Sequence, residues 1–146
     1  MNKESNNIYK NARIRAGLRR EPAAEELHID VRTLDKYEAF GGRAPDEIVK
    51  KMCELYADKS LAYLHIKKSP LGEFLPDLKP TSFEAATLTM VSSLNEVNGK
   101  VNQIIKIASD GKINAWEKED WEARCAEITH LASAILSLTF SQKEGS

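Results

Sequence analysis

The stretch that most constrains the fold lies at residues 18–38, where two short patterns of helical period follow one another almost without a gap. They predict a helix over residues 20–28 and a second helix over residues 31–39. Residues 28–30 form the link, which is too short for anything but a tight turn. The positions predicted to face inward are Ala24, Leu27, Ile29, Leu34 and Tyr37.

The outer face of this predicted helix pair is polar and basic, and it carries Arg20, Arg32, Thr33 and Lys36. Two short helices packed at a steep angle, the second with such a face, are a common device for entering the major groove of DNA. That groove is about 12 Å wide and admits one helix. The alternative is a merely solvated face, which would be the preferred interpretation for an isolated helix.

These residues resemble the lambda-repressor-like (Xre/Cro-type) helix-turn-helix family of transcriptional regulators. The resemblance covers residues 8–66 and is carried by Arg13, Gly17, Leu18, Ala24, Leu27 and residues 30–38. It implies an all-α fold in which residues 1–67 form a five-helix DNA-binding domain. It also implies double-stranded DNA as the partner and transcription regulation as the function, with repression as the expected effect.

The resemblance further implies which side chains contact DNA. Val31, Arg32 and Lys36 match base-reading positions, whereas Thr33 and Arg43 match positions that contact the DNA backbone. Arg20 matches a residue that holds a phosphate or a base edge. Arg32 can bond guanine through two hydrogen bonds, and Val31 can contact a thymine methyl group. The full predicted DNA-binding set is Arg19, Arg20, Val31, Arg32, Thr33, Lys36 and Arg43.

A structural ion pair is implied by the same resemblance, between Arg13 of the first helix and Glu38 at the end of the recognition helix. Removing one member of such a buried pair typically costs ~3–5 kcal/mol, because the other charge is left uncompensated. The alternative is two exposed charges that never meet.

Local signals predict the ends of the remaining helices of this domain. A first helix over residues 8–16 is closed by a glycine, Pro45 begins a fourth helix, and residues 59–67 form a fifth. His28 replaces the glycine of the family's turn, so we expect it at positive φ. Asp30 is predicted to cap the recognition helix with its carboxylate.

Residues 68–81 contain three prolines and a glycine, a density that predicts a linker without a regular element. Its apolar residues indicate that it packs on a neighbouring surface. Beyond it, residues 82–146 are predicted to form a helical hairpin. The first helix of the hairpin carries an unbroken heptad stripe of Phe83, Thr87, Met90, Leu94, Val97, Val101, Ile104 and Ala108.

An Asp-Gly pair at 110–111 is predicted to end that helix, and Asn114 with Glu117 resembles a capping box for the next. The inner face predicted for this second helix is formed by Trp121, Cys125, Ile128, Ala132 and Ile135, with Leu131 and Leu138 beside them. The layout as a whole loosely resembles regulators associated with phages and mobile elements.

A lone two-helix hairpin is marginally stable, so residues 82–140 are predicted to pair with a second copy as a four-helix bundle. The predicted homodimer interface contains Met90, Leu94, Val97, Val101, Ile104, Ile128, Leu131, Ile135 and Leu138. Alternatively, the hairpin packs on its own DNA-binding domain in a monomer.

Charge is distributed unevenly along the chain. Residues 1–68 carry 14 Lys or Arg against 11 Asp or Glu, whereas residues 69–146 carry 7 against 11. The basic half suits phosphate contact, and the acidic half would not touch DNA. An alternative function follows: a protein-interaction module or antitoxin-like adaptor whose acidic hairpin binds another protein.

Other function classes find no support in the sequence. No phosphate-binding loop, dinucleotide fingerprint or nucleophile motif is present, and the three histidines lack metal-ligand spacing. We therefore expect neither catalysis nor a cofactor or metal. No apolar run reaches the ~18–20 residues that cross a bilayer. With two widely spaced cysteines and no secretory signal, a cytoplasmic protein is the simplest expectation.

Overall fold

The computed structural model describes residues 7–141, and every regular element in that range is helical. The prediction of an all-α fold is therefore confirmed. The chain divides into two compact units, Met1–Phe74 and Leu75–Ser146, called here the first and the second unit. Their boundary lies within the segment predicted as a linker. No helix in the described range is both long enough and apolar enough to cross a membrane.

The first unit contains five α-helices, and every helix limit that the sequence predicted lies within two residues of the observed one. The agreement follows from strong local stop signals between the helices. The elements in chain order are α1 (Ile8–Arg15), α2 (Arg20–Glu26), α3 (Val31–Glu38), α4 (Asp46–Leu55) and α5 (Ser60–Lys67), followed by a 3₁₀ helix (Pro70–Phe74).

One fully buried large side chain from each α-helix or its cap builds the core of this unit. The five are Tyr9, Leu27, Leu34, Met52 and Leu61. Burying an aliphatic side chain of this size contributes roughly 1.5–3 kcal/mol relative to leaving it exposed. The helices are therefore held mainly by their shared core, since helices of 7 to 10 residues are too short to be stable alone.

The turn between α2 and α3 has the geometry that the sequence predicted. His28 lies at φ +57°, and its amide donates to Glu25 O while the amide of Ile29 donates to Ala24 O. This pair of bonds satisfies the last carbonyls of α2 in a Schellman motif. Asp30 occupies the cap position of α3, but its carboxylate makes no capping hydrogen bond, contrary to expectation.

The predicted linker is more regular than expected, because Pro70–Phe74 forms a 3₁₀ helix that packs against α5. Gly72 permits this contact: a Cβ there would lie 1.9 Å from the carbonyl oxygen of Lys67. The Lys67 ammonium also donates to Gly72 O at 2.8 Å. Proline density excluded an α-helix but not this tighter element.

The second unit contains α6 (Phe83–Asn98), α7 (Val101–Ala108) and α8 (Lys118–Phe140). The prediction of a single long helix through residue 108 is wrong. The helix is interrupted after Gly99, where Lys100 takes φ −109° and ψ 1°. Glycine lowers helix propensity at this point. Glu117 accepts hydrogen bonds from the amide and the side chain of Asn114, but α8 begins after Glu117, so no reciprocal capping box forms.

Small side chains form the contact between α6 and α8. Between residues 75 and 141, the buried residues are Ala86, Ser93, Ile107, Ala134 and Ser137. Ile128 and Ile135, which were predicted to line the inner face of α8, remain 38% and 46% exposed. Because small residues let helix backbones approach closely, the larger apolar side chains lie beside the contact between α6 and α8, called here the seam. A hydropathy pattern counts serine as polar and therefore missed this arrangement.

Candidate nucleic-acid interface

The exposed face of α3 carries the two basic side chains predicted to read bases. Arg32 and Lys36 are exposed, whereas Val31 and Thr33 are half-buried. The opposite face of the same helix buries Leu34 completely. Helix α3 therefore presents a cationic surface to solvent while its apolar side is fixed in the core. Arg19, Arg20 and Arg43, the remaining members of the predicted set, are also exposed.

Arg13 and Glu38 lie together and form a two-pronged ion pair. The Nε and Nη2 atoms of Arg13 each donate to a Glu38 oxygen at 2.7 Å, and both side chains are buried. The third donor, Nη1, bonds Leu18 O at 2.8 Å. The hydrogen bonds to Glu38 raise the pKa of Arg13 above its usual range. The pair fixes the end of α3 against α1.

A second link between these helices comes from the buried side chain of Asn7. Its Oδ1 accepts from the amides of Tyr9 and Lys10, both at 3.0 Å, and so caps α1. Its Nδ2 donates to Tyr37 O at 2.8 Å and to Ala39 O at 3.0 Å. Asparagine before a predicted helix signals a cap, but sequence alone does not reveal the contact with α3.

Arg20 of α2 is paired with Asp35 of α3 at 3.0 Å, and both side chains are about half exposed. Exposed pairs of this kind are worth ~0–1 kcal/mol. A phosphate group can therefore replace the carboxylate as the partner of Arg20 at little cost. Sequence reasoning missed this pair, because Asp35 is separated from Arg20 by the turn.

Arg43 lies beside a row of hydrogen-bonded side chains in the first unit. The Nδ1 atom of buried His65 lies 2.7 Å from the Tyr9 hydroxyl oxygen, and its Nε2 atom lies 2.8 Å from Asp46 Oδ1. The bond with His65 lowers the pKa of Asp46, while burial raises the pKa of Tyr9. Arg43 Nη2 is 3.3 Å from His65 Nε2. Since both ring nitrogens of His65 have partners, these hydrogen bonds connect α1, α4 and α5.

The face of α3 is thus an exposed cationic surface on a helix that is fixed in the first unit. No family model, curated protein or solved structure matches the chain. Among residues 7–141, no three His, Cys, Asp or Glu side chains are grouped so that they could hold a metal ion. A function is therefore inferred from the residues and the geometry described above.

Proposed function

We propose that this protein is a sequence-specific DNA-binding transcriptional regulator of the lambda-repressor-like class, acting through α2 and α3. The observation that carries the proposal is the combination of exposure and rigidity in α3. Arg32 and Lys36 project from a helix whose other side is fixed by buried Leu34 and by the Arg13–Glu38 pair. Base reading needs such a helix, because a side chain that is not held in register cannot discriminate between base edges.

The proposed roles divide the contacts into two kinds. Arg19, Arg20 and Arg43 contact phosphates and supply affinity, with Thr33 adding a neutral backbone contact. Val31, Arg32 and Lys36 meet base edges in the major groove and supply specificity. Phosphate contacts release counterions, so the affinity for DNA should fall steeply with salt concentration.

The proposed active form is a homodimer joined through the second unit. Its support is the set of large apolar side chains that remain exposed beside the seam of α6 and α8, with Leu94 at 48% exposure. Pairing with a second hairpin would cover them in a four-helix bundle. A two-fold dimer would also supply two copies of α3, suited to half-sites about 34–36 Å apart.

Selection of binding sites from random duplexes tests this function. The wild-type protein should enrich an inverted repeat with half-sites about one helical turn apart. The variant R32A/K36A should lose that preference. K50A/K51A is a matched control, since it removes two exposed charges from α4 of the same unit. Enrichment of no sequence, or equal losses for the two variants, would contradict the proposal.

A second candidate function is a protein-interaction module or antitoxin-like adaptor. It is favoured by Trp116, which is 78% exposed on the turn before α8, next to a run of carboxylates. An exposed tryptophan beside charges is typical of protein interfaces. Under this alternative, a stoichiometric foreign partner should co-purify with the wild type and be lost from W116A, while no DNA sequence is selected.

A further inference from the structure

Phe40 lies in the turn between α3 and α4, and its side chain is 95% exposed. Exposure alone would carry no meaning, because isolated apolar side chains are common on protein surfaces. Phe40 differs in its setting. It follows the end of α3 by two residues and precedes Arg43 by three, so it lies between two parts of the proposed DNA-binding surface.

The turn that carries Phe40 is tightly closed. Gly42 N donates to Ala39 O at 3.0 Å, which makes Phe40 and Gly41 the two central residues of a β-turn. Gly41 takes φ +74°, as a type II turn requires at its third position. A Cβ on Gly42 would lie 2.3 Å from Lys36 O, so the turn packs directly on the last turn of α3.

The buried Asn7 side chain holds the same turn from another direction. Its Nδ2 bonds Ala39 O at 3.0 Å, so that carbonyl accepts one hydrogen bond from Asn7 and another from Gly42. The backbone around Phe40 is therefore fixed to both α1 and α3. The result is an apolar ring held in water by a rigid support.

The charges near Phe40 indicate what the ring contacts. Exposed cations precede and follow it, at Lys36 and Arg43. Three carboxylates lie within six residues of it in sequence, and each already has a hydrogen-bond partner: Asp35, Glu38 and Asp46. An apolar group between cations matches the DNA backbone, in which apolar deoxyribose lies between phosphates.

We infer that Phe40 is a further DNA contact, whose ring packs on a deoxyribose beside the phosphate bound by Arg43 and so fixes the position of α3 in the groove. This inference rests on the proposed function. Phe40 contributes no hydrogen bond and no charge. Its contact should therefore add affinity without adding to the salt dependence of binding.

The test measures the affinity of four variants for the duplex selected by the wild-type protein, over a series of salt concentrations. F40A should bind roughly tenfold more weakly, the loss expected for one apolar side chain that is buried on binding. Its slope of log affinity against log salt should equal that of the wild type. R43A should bind more weakly with a slope reduced by about 1, because one phosphate contact is lost.

F74A is the matched control, because Phe74 is 77% exposed in the same unit but lies in the 3₁₀ helix. It should bind as the wild type does. F40L should recover part of the affinity lost in F40A. Since Phe40 is outside the core, F40A should unfold at the same denaturant concentration as the wild type.

Four results would overturn the inference. Equal affinities of F40A and F74A for a duplex that the wild type binds would remove Phe40 alone and leave the proposed function intact. A penalty for F40A that disappears when uracil replaces thymine would assign the ring to a thymine methyl group instead of a sugar. If F40A formed a smaller assembly than the wild type in the absence of DNA, the ring would instead be assigned to a contact with a second copy of the chain. Failure of the wild type to bind any duplex would overturn the proposed function as well.

Discussion

The two units of this chain bury their apolar residues in different ways. The first unit encloses whole side chains such as Tyr9, Leu34 and Met52 among five short helices. The second unit encloses mainly alanine and serine between long helices and leaves residues such as Leu88 and Leu94 in solvent. Short helices with a complete core form a closed fold, whereas long helices with a small-residue seam leave an apolar surface uncovered.

This difference separates the proposed tasks of the units. Uncovered side chains in the first unit include the cations Arg32 and Lys36, which suit a polyanion. Uncovered side chains in the second unit include many aliphatic ones, which suit another apolar surface. The proposed division between DNA contact and self-association therefore rests on which residue types each unit leaves outside its core.

The chain also provides a separate optical probe for each unit. All four tyrosines lie between residues 9 and 63, and both tryptophans lie at residues 116 and 121. Tryptophan fluorescence therefore reports the second unit, and the tyrosine part of the near-UV circular dichroism, after the tryptophan contribution is subtracted, reports the first. The following predictions use this separation to measure the stability of each unit within the whole protein.

The largest effect is expected for R13M, which leaves Glu38 buried without its partner. The free energy of unfolding of the first unit should fall by ~3–5 kcal/mol. Urea titration followed through the tyrosine signal measures this loss, while the tryptophan transition should not move. R13M/E38L should recover most of the stability, because no buried charge remains unpaired. A loss below about 1 kcal/mol in R13M would show that the pair is not closed in solution.

Leucine truncation in each unit compares the two cores directly. L34A should lower the free energy of unfolding of the first unit by ~2–5 kcal/mol, because it leaves a cavity at a fully buried position. L94A should cost far less in dilute solution, since Leu94 is half exposed. At higher protein concentration, however, its cost should grow if Leu94 lies in a dimer interface. Losses for L94A that match those for L34A at every concentration would contradict the contrast between the units.

An intermediate effect is expected for substitution of Tyr56, which leaves a polar group unpaired in the core of the first unit. Its hydroxyl is buried and has no hydrogen-bond partner within residues 7–141. Y56F should therefore raise the free energy of unfolding by roughly 1 kcal/mol at neutral pH. A loss of stability in Y56F would instead indicate that the hydroxyl is hydrogen-bonded in solution.

The same residue predicts a dependence on pH. Burial raises the pKa of Tyr56 to about 12, from an ordinary value of 10.0. Because the folded-state pKa is the higher one, the stabilisation of the neutral phenol is complete below pH 10 and is lost as the pH rises through 12. Wild-type stability should therefore fall relative to Y56F over that interval, as measured by urea titration at successive pH values.

The smallest effect is expected for the exposed pair of Arg20 and Asp35. D35A should change the stability of the first unit by no more than about 1 kcal/mol, with the change reduced at high salt. DNA affinity should rise in D35A, because a competing carboxylate near Arg20 is removed. An unchanged or lower affinity at low salt would indicate that Arg20 does not contact phosphate.

Much of the first unit could be predicted because its information is local. The turns at Gly17 and His28 and the periodic apolar positions between them limit α1, α2 and α3 to within two residues. The buried roles of Asn7 and His65 could not be predicted in this way. Each connects residues more than 25 positions apart, and only the folded chain brings their partners within hydrogen-bond distance.

The second unit was predicted less well for a different reason. A heptad pattern identifies an apolar surface but not the element that covers it. Ser93 and Ser137 are buried because α6 and α8 approach closely, and no hydropathy scale ranks serine as a core residue. The interruption after Gly99 was missed because the apolar stripe continues across it without a change of period.

The claim that α3 binds the major groove is tested most directly by the salt dependence of DNA binding in the wild type and in R32A/K36A. The measurement is the affinity for a selected duplex and for a scrambled duplex between about 50 and 200 mM salt. The wild type should prefer the selected duplex at every salt concentration, with a steep negative slope of log affinity against log salt. R32A/K36A should bind both duplexes equally and weakly. A wild-type protein with a flat slope and no preference between the duplexes would contradict the claim.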